Sequence, residues 1–142
     1  MRINDAIWQD YDSSGQIEAK LATIRKWIPE DVGTVIDVGC GNGIICNALA
    51  SDYEVTAIDI SETALKTVNV NKLRASATDI PFADNSFDLV FSSEMLEHLS
   101  SADLVEAAHE MLRVTKKYLL ISVPFQEQLS KSMVKCKVCA EV

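Results

Sequence analysis

No apolar run in this chain of 142 residues approaches the roughly 20 that cross a bilayer, and Met1 to Asp12 is polar, without a signal-peptide core. Neither a membrane span nor a secretory leader is expected. Basic charge is scarce: 13 Lys and Arg stand against 21 Asp and Glu, a formal net charge of -8. A non-specific grip on nucleic acid is thereby excluded, because phosphate binding draws on clustered cations. The cysteines at 40, 46, 136 and 139 do not form a spaced disulfide framework, so a reducing, cytoplasmic setting is expected. Internal repeats, linkers and low-complexity tracts are missing as well. What remains, 48% apolar and 24% charged, is an ordinary globular balance that excludes disordered and fibrous classes. The length suits one domain over residues 1–142, with its core at about 15–124 and a tail at 125–142.

Ile17, Leu21, Ile24 and Ile28 recur at helical spacing and predict an amphipathic helix over 16–28. Short apolar segments predict strands over 34–38 (TVIDV), 54–58, 73–77, 87–91 and 117–123. Helices are expected between them over 44–51, from a Ser61 cap to about 70, and over 102–114. Strands that are apolar throughout, alternating with helices, predict a doubly wound α/β domain with a mainly parallel sheet covered on both faces.

Ligands in such sheets lie beyond the carboxyl ends of the strands, where strand order reverses. Three of the chain's five glycines fall there, in Gly39-Cys40-Gly41-Asn42-Gly43. They let the backbone turn sharply and approach a ligand, and the helix starting near Gly43 should favour an anion. The pattern is not the dinucleotide fingerprint: the third glycine comes one residue early and Ile44 follows, which disfavours NAD or flavin. Asp59, 20 residues beyond Gly39, can accept hydrogen bonds from two ribose hydroxyls. Asp79 and the neighbouring N–H of Ile80 can read an adenine edge.

The segments VIDVGCGNG (35–43), AIDIS (57–61), TDIPFADNSFDLVFSSEMLEHL (78–99) and KYLLISVP (117–124) resemble class I S-adenosylmethionine-dependent methyltransferases. The likeness is nearest to the small-molecule "type 11" branch, which includes quinone-biosynthesis enzymes. The resemblance implies a Rossmann-like sheet of order 3-2-1-4-5, S-adenosylmethionine as cofactor and a small-molecule methyl acceptor. It implies that Gly39 and Gly41 line the methionine part of the cofactor and that Asp37 supports their loop. Asp59 would hold the ribose, Asp79 and Ile80 would read adenine, and Ile60 would pack on the base. The Ser92 carbonyl would face the cofactor's amino group, and Tyr11, beside Trp8, would belong to a lid.

Glu94, Glu97 and His98 fall at i, i+3 and i+4, one face if the segment is helical. Three readings stand there: a general base, a divalent-cation site, or helix anchoring. His98 and Glu94 are the first choices for a base, and no tightly held metal is expected. His109 reads as a surface residue. Cys136 and Cys139 have half the spacing of a zinc knuckle without a second pair.

Members of the resembled family usually add two more strands beside strand five, and these are not evident here. The apolar strand at 117–123 is therefore expected to pair in a dimer or larger assembly, since open edges template association, or else to leave a marginally stable monomer prone to aggregation. The chief alternative to a methyltransferase is a non-catalytic S-adenosylmethionine-binding remnant of one.

Overall fold

A computed structural model describes residues 14–124. The expectations for Trp8, Tyr11, Cys136 and Cys139 lie outside the described residues. The chain runs α1 (Ser14–Trp27), β1 (Thr34–Val38), α2 (Ile44–Leu49), β2 (Glu54–Asp59), a 3₁₀ turn (Ala64–Thr67) and β3 (Asn71–Arg74). It continues through β4 (Phe87–Ser93), a second 3₁₀ turn (Leu96–His98), α3 (Ser101–Val114) and β5 (Thr115–Ser122). All four strand pairings are parallel and the order is β3-β2-β1-β4-β5, as the sequence led us to expect. No helix among the described residues is long and apolar enough to cross a membrane.

β1 lies at the centre because its side chains can be buried on both faces. Val35 and Leu89 pack on one side with Ile24 and Ile28 of α1, Cys46 and Leu49 of α2, and Leu65 and Val68. Ile36 and Val38 pack on the other with Ile58, Ile80, Val90 and, from α3, Ala107, Met111 and Val114. α3 starts where the sequence gives it a cap: Ser100 Oγ accepts from the Asp103 N–H at 3.2 Å. The foot of the sheet is closed by Asp88, whose Oδ2 accepts from the Gly33 and Thr34 N–H groups at 3.0 and 3.1 Å. Lys117 lies 3.4 Å from its other oxygen.

Two elements differ from expectation. The helix predicted from Ser61 to about 70 is only the 3₁₀ turn at 64–67, although Ser61 Oγ does accept from the Ala64 N–H at 3.2 Å. Lys72 Nζ takes the carbonyls of Leu65 and Val68, both at 2.8 Å, so a side chain ends the turn where helical N–H groups would have continued it. β3 then begins at Asn71 rather than Leu73 and has already ended at Arg74. It is an edge strand with all four residues exposed, so its position follows from pairing with β2 and not from an apolar pattern. At the other edge, β5 pairs with β4, and Tyr118, Ile121 and Val123 are partly exposed.

Replacing Lys72 with Met is expected to cost about 1–2 kcal/mol of stability, the scale of charged hydrogen bonds lost at a partly exposed site. Urea denaturation of the two proteins measures it.

Candidate active site

The carboxyl ends of β1 and β4 separate at the switch point of the sheet, where the chain makes its tightest turn. Gly39, Gly41 and Gly43 all have positive φ (76°, 54° and 80°). At Gly39 the constraint is also steric: a Cβ would stand 2.3 Å from Met95 Cγ. At Gly43 it would stand 2.7 Å from Val68 Cγ2. The loop is moored to β2 by the N–H groups of Gly39 and Cys40, both donating to the Ile58 carbonyl at 2.9 and 3.1 Å.

Asp59 completes the mooring. Its Oδ2 accepts from the Gly41 N–H and its Oδ1 from the Ser61 N–H, each at 2.8 Å. Every carboxylate oxygen has a second lone pair, so both can still accept a ligand hydroxyl. Ile60, next in sequence, is 59% exposed and offers an apolar surface beside that carboxylate.

Asp37, inside β1, is 2% exposed. Burial, with the neighbouring charge of Asp59 second, pushes its carboxyl up to about 7, and Lys20 acts in the opposite direction. Lys20 reaches in from α1 and donates to Glu94 Oε1 at 2.5 Å. The Cys40 thiol is held protonated by its hydrogen bond with Cys46 and then by burial, so it is no nucleophile. Ser92 is fully buried, and its Oγ donates to the Val38 carbonyl at 2.9 Å, tying β4 to β1 below the loop.

Three expectations change. α2 has six residues, and its first N–H, that of Ile44, is turned to Asn42 Oδ1 at 3.3 Å. The first N–H of the helix is thus spent on Asn42, and the glycine turn stands beside the Asp59 carboxylate instead. Glu94, Glu97 and His98 do not share a helical face: Glu94 is left-handed (φ 52°), and only Leu96–His98 forms a 3₁₀ turn. All three side chains are exposed, and Glu94 is engaged by Lys20. His109 is exposed on α3.

The third change concerns the β3 rim. Because β3 ends early, Ala75 follows it beside Asp59, its N–H donating to the Asp59 carbonyl at 3.1 Å, and Ser76 and Ala77 come next in the chain. Asp79 is exposed on the loop beyond, while Ile80 is buried under the sheet. The Ile80 N–H donates to Glu110 Oε2 at 2.8 Å. Ser76 and Ala77 were missed in the sequence because the strand preceding them is polar. Lys20, Met95 and Glu110 left no local signal at all.

Glycine turn, ribose-competent Asp59 and parallel order 3-2-1-4-5 define a Rossmann-like nucleoside-binding domain. The family model described as "Methyltransferase domain" matches residues 36–121. The chain belongs to this family, the class I S-adenosylmethionine-dependent methyltransferases. It is 33% identical over 115 residues to O-methyltransferase rstn1 of Aspergillus nomiae, covering 68% of this chain and 51% of that protein. It is 31% identical over 126 residues to a ubiquinone biosynthesis O-methyltransferase of Pseudomonas paraeruginosa, covering 75% and 53%. The chain thus spans about half the length of the curated relatives it matches. A solved SAM-dependent methyltransferase from Archaeoglobus fulgidus superposes with a TM-score of 0.69 at 26% identity, covering 78% of this chain and 54% of that one.

The carboxyl of Asp37 has a measurable consequence. Between about pH 4, where it titrates when unfolded, and its folded value of about 7, the folded chain retains a proton the unfolded chain has lost. Stability therefore falls as pH rises through that window. Asp37→Asn removes the fall, so its stability relative to the native chain is expected to rise from pH 4 to 7 and then level off. The gain has an upper limit of about 4 kcal/mol. Urea titrations at pH 4.5, 6 and 8 read it directly.

Proposed function

We propose that the chain transfers a methyl group from S-adenosylmethionine to a small-molecule acceptor. The carrying observation is the Asp59 carboxylate beside the glycine turn, which keeps a lone pair on each oxygen after accepting from the Gly41 and Ser61 N–H groups. Such a carboxylate suits the ribose hydroxyls of a nucleoside cofactor and disfavours an anionic group beside it. The donor set fits: Asp59 would hold the ribose hydroxyls, Ile60 would pack on the base, and Gly39 and Gly41 would line the methionine end. Asp37 supports the loop from below, and the Ser92 carbonyl is assigned to the amino group. In place of Asp79 and Ile80, the Ala77 N–H, which has no partner among the described residues, would donate to adenine N1 beside Ser76.

When bound, the cofactor supplies an activated methyl carbon on a good leaving group. The protein's remaining task is to align an acceptor with it. The names of the relatives, O-methyltransferases, favour a hydroxyl acceptor. Its proton then needs a base, and we assign that role to His98 with Glu94, both exposed just beyond β4. A cytoplasmic setting belongs to the same reading, supported by the free thiols of Cys40 and Cys46. So does pairing of two copies along β5, supported by its exposed apolar side chains. Light scattering on concentrated protein checks that point: a dimer is expected, and a monomer at all concentrations removes it.

Asp59→Ala is expected to weaken binding of S-adenosylhomocysteine by about 1.5–3 kcal/mol, with NADH failing to bind the native chain at comparable concentration. Calorimetry decides both. Release of S-adenosylhomocysteine with hydroxylated acceptors tests the transfer itself, and binding without any turnover would favour the non-catalytic remnant.

A further inference from the structure

The loop that leaves β3 has little in its own strand to fix it, since β3 is a four-residue edge strand with every side chain exposed. It is instead suspended between two fixed points. At one end the Ala75 N–H donates to the Asp59 carbonyl at 3.1 Å, and at the other the Ile80 N–H donates to Glu110 Oε2 at 2.8 Å. Between them the chain folds on itself, Asp79 N–H donating to the Ser76 carbonyl at 3.1 Å and Thr78 N–H to Ser76 Oγ at 3.2 Å.

Glu110 is in turn gripped by Arg113, one turn along α3. The guanidinium donates to both carboxylate oxygens, from Nε at 2.7 Å and from Nη2 at 2.8 Å. The same group reaches the Ile80 carbonyl at 2.8 Å, the Phe82 carbonyl at 2.7 Å and Asp84 Oδ1 at 3.1 Å. Both the N–H and the carbonyl of Ile80 are therefore held from α3. A slip of one residue would pull Ile80 from the core and leave buried polar groups without partners.

We propose that Glu110 is a positioning residue for the nucleoside end of the cofactor site. Through the Ile80 N–H it sets how Ser76 and Ala77 are held between Ala75, which is anchored on Asp59, and Ile80, and Arg113 holds it in the orientation that does so. The proposal rests on the reading of S-adenosylmethionine as cofactor. Arg113 keeps Glu110 ionised at neutral pH by holding its carboxyl down to about 2, so the acceptor is always available.

A simple structural staple would not affect which base the site prefers, and that separates the two roles. Adenine N1 accepts a hydrogen bond, whereas N1 of hypoxanthine carries a proton and cannot accept one from the Ala77 N–H. Calorimetry with S-adenosylhomocysteine and S-inosylhomocysteine should show the native chain preferring the former. Glu110→Ala is expected to weaken S-adenosylhomocysteine binding about tenfold and to bring the ratio of the two affinities towards one. Glu110→Gln, still able to accept from Ile80, is expected to restore most of the ratio. If Glu110→Ala does not fold, Arg113→Lys carries the test with about a threefold loss and a reduced ratio. A folded Glu110→Ala or, in its place, Arg113→Lys with the native ratio overturns the proposal, as does Glu110→Gln as indiscriminate as Glu110→Ala. A native chain that binds neither compound fails the cofactor reading and takes this role with it, whereas tight binding with unaltered preference fails the role alone.

Discussion

Asp59 joins three pieces of chain that would otherwise be independent. It ends β2, so its own backbone is fixed by pairing with Arg74 of β3. Its carboxylate then takes one N–H from the glycine turn and one from the start of the Ser61 segment. Its carbonyl accepts from Ala75, the first residue past β3. The loops following β1, β2 and β3 are thus all referred to one residue. The short 3₁₀ turn depends on the same arrangement, because Thr67 Oγ1 donates to the Asn42 carbonyl of the glycine loop at 2.7 Å.

The electrostatics follow from that geometry. A carboxylate needed at the end of β2 stands near a second one buried in β1, and both cannot ionise without cost. The protein answers partly with Lys20, which approaches Asp37 and pairs with Glu94. A cationic ligand would supply the remainder. The opposite end of the sheet uses the reverse arrangement: Asp88 there is satisfied by backbone N–H groups and two lysines, and its carboxyl is held down to about 2. One carboxylate secures the foot of the sheet, and another, Asp59, ties its ligand end together.

The central strands were legible in the sequence because burial on both faces leaves an apolar signature, whereas their order came from the family resemblance. The glycine turn was legible because positive φ demands that residue type. β3 was expected over 73–77 and lies at Asn71–Arg74, since an exposed edge strand carries no such signature. The helix after Ser61 was overestimated because the side chain that ends it, Lys72, comes from the next strand. Contacts such as Lys20 with Glu94, or Glu110 with Ile80, join residues distant in sequence and have no periodicity to betray them.

The contact between Gly39 and Met95 makes two distant positions share one volume. With a Cβ at 39 only 2.3 Å from Met95 Cγ, any side chain gained at the first must be given up at the second. Shortening Met95 would open that space, yet alanine or serine at 39 would still be strained, because the turn holds φ at 76° there. Glycine at 39 is thus fixed twice, once by the turn and once by the side chain that follows β4.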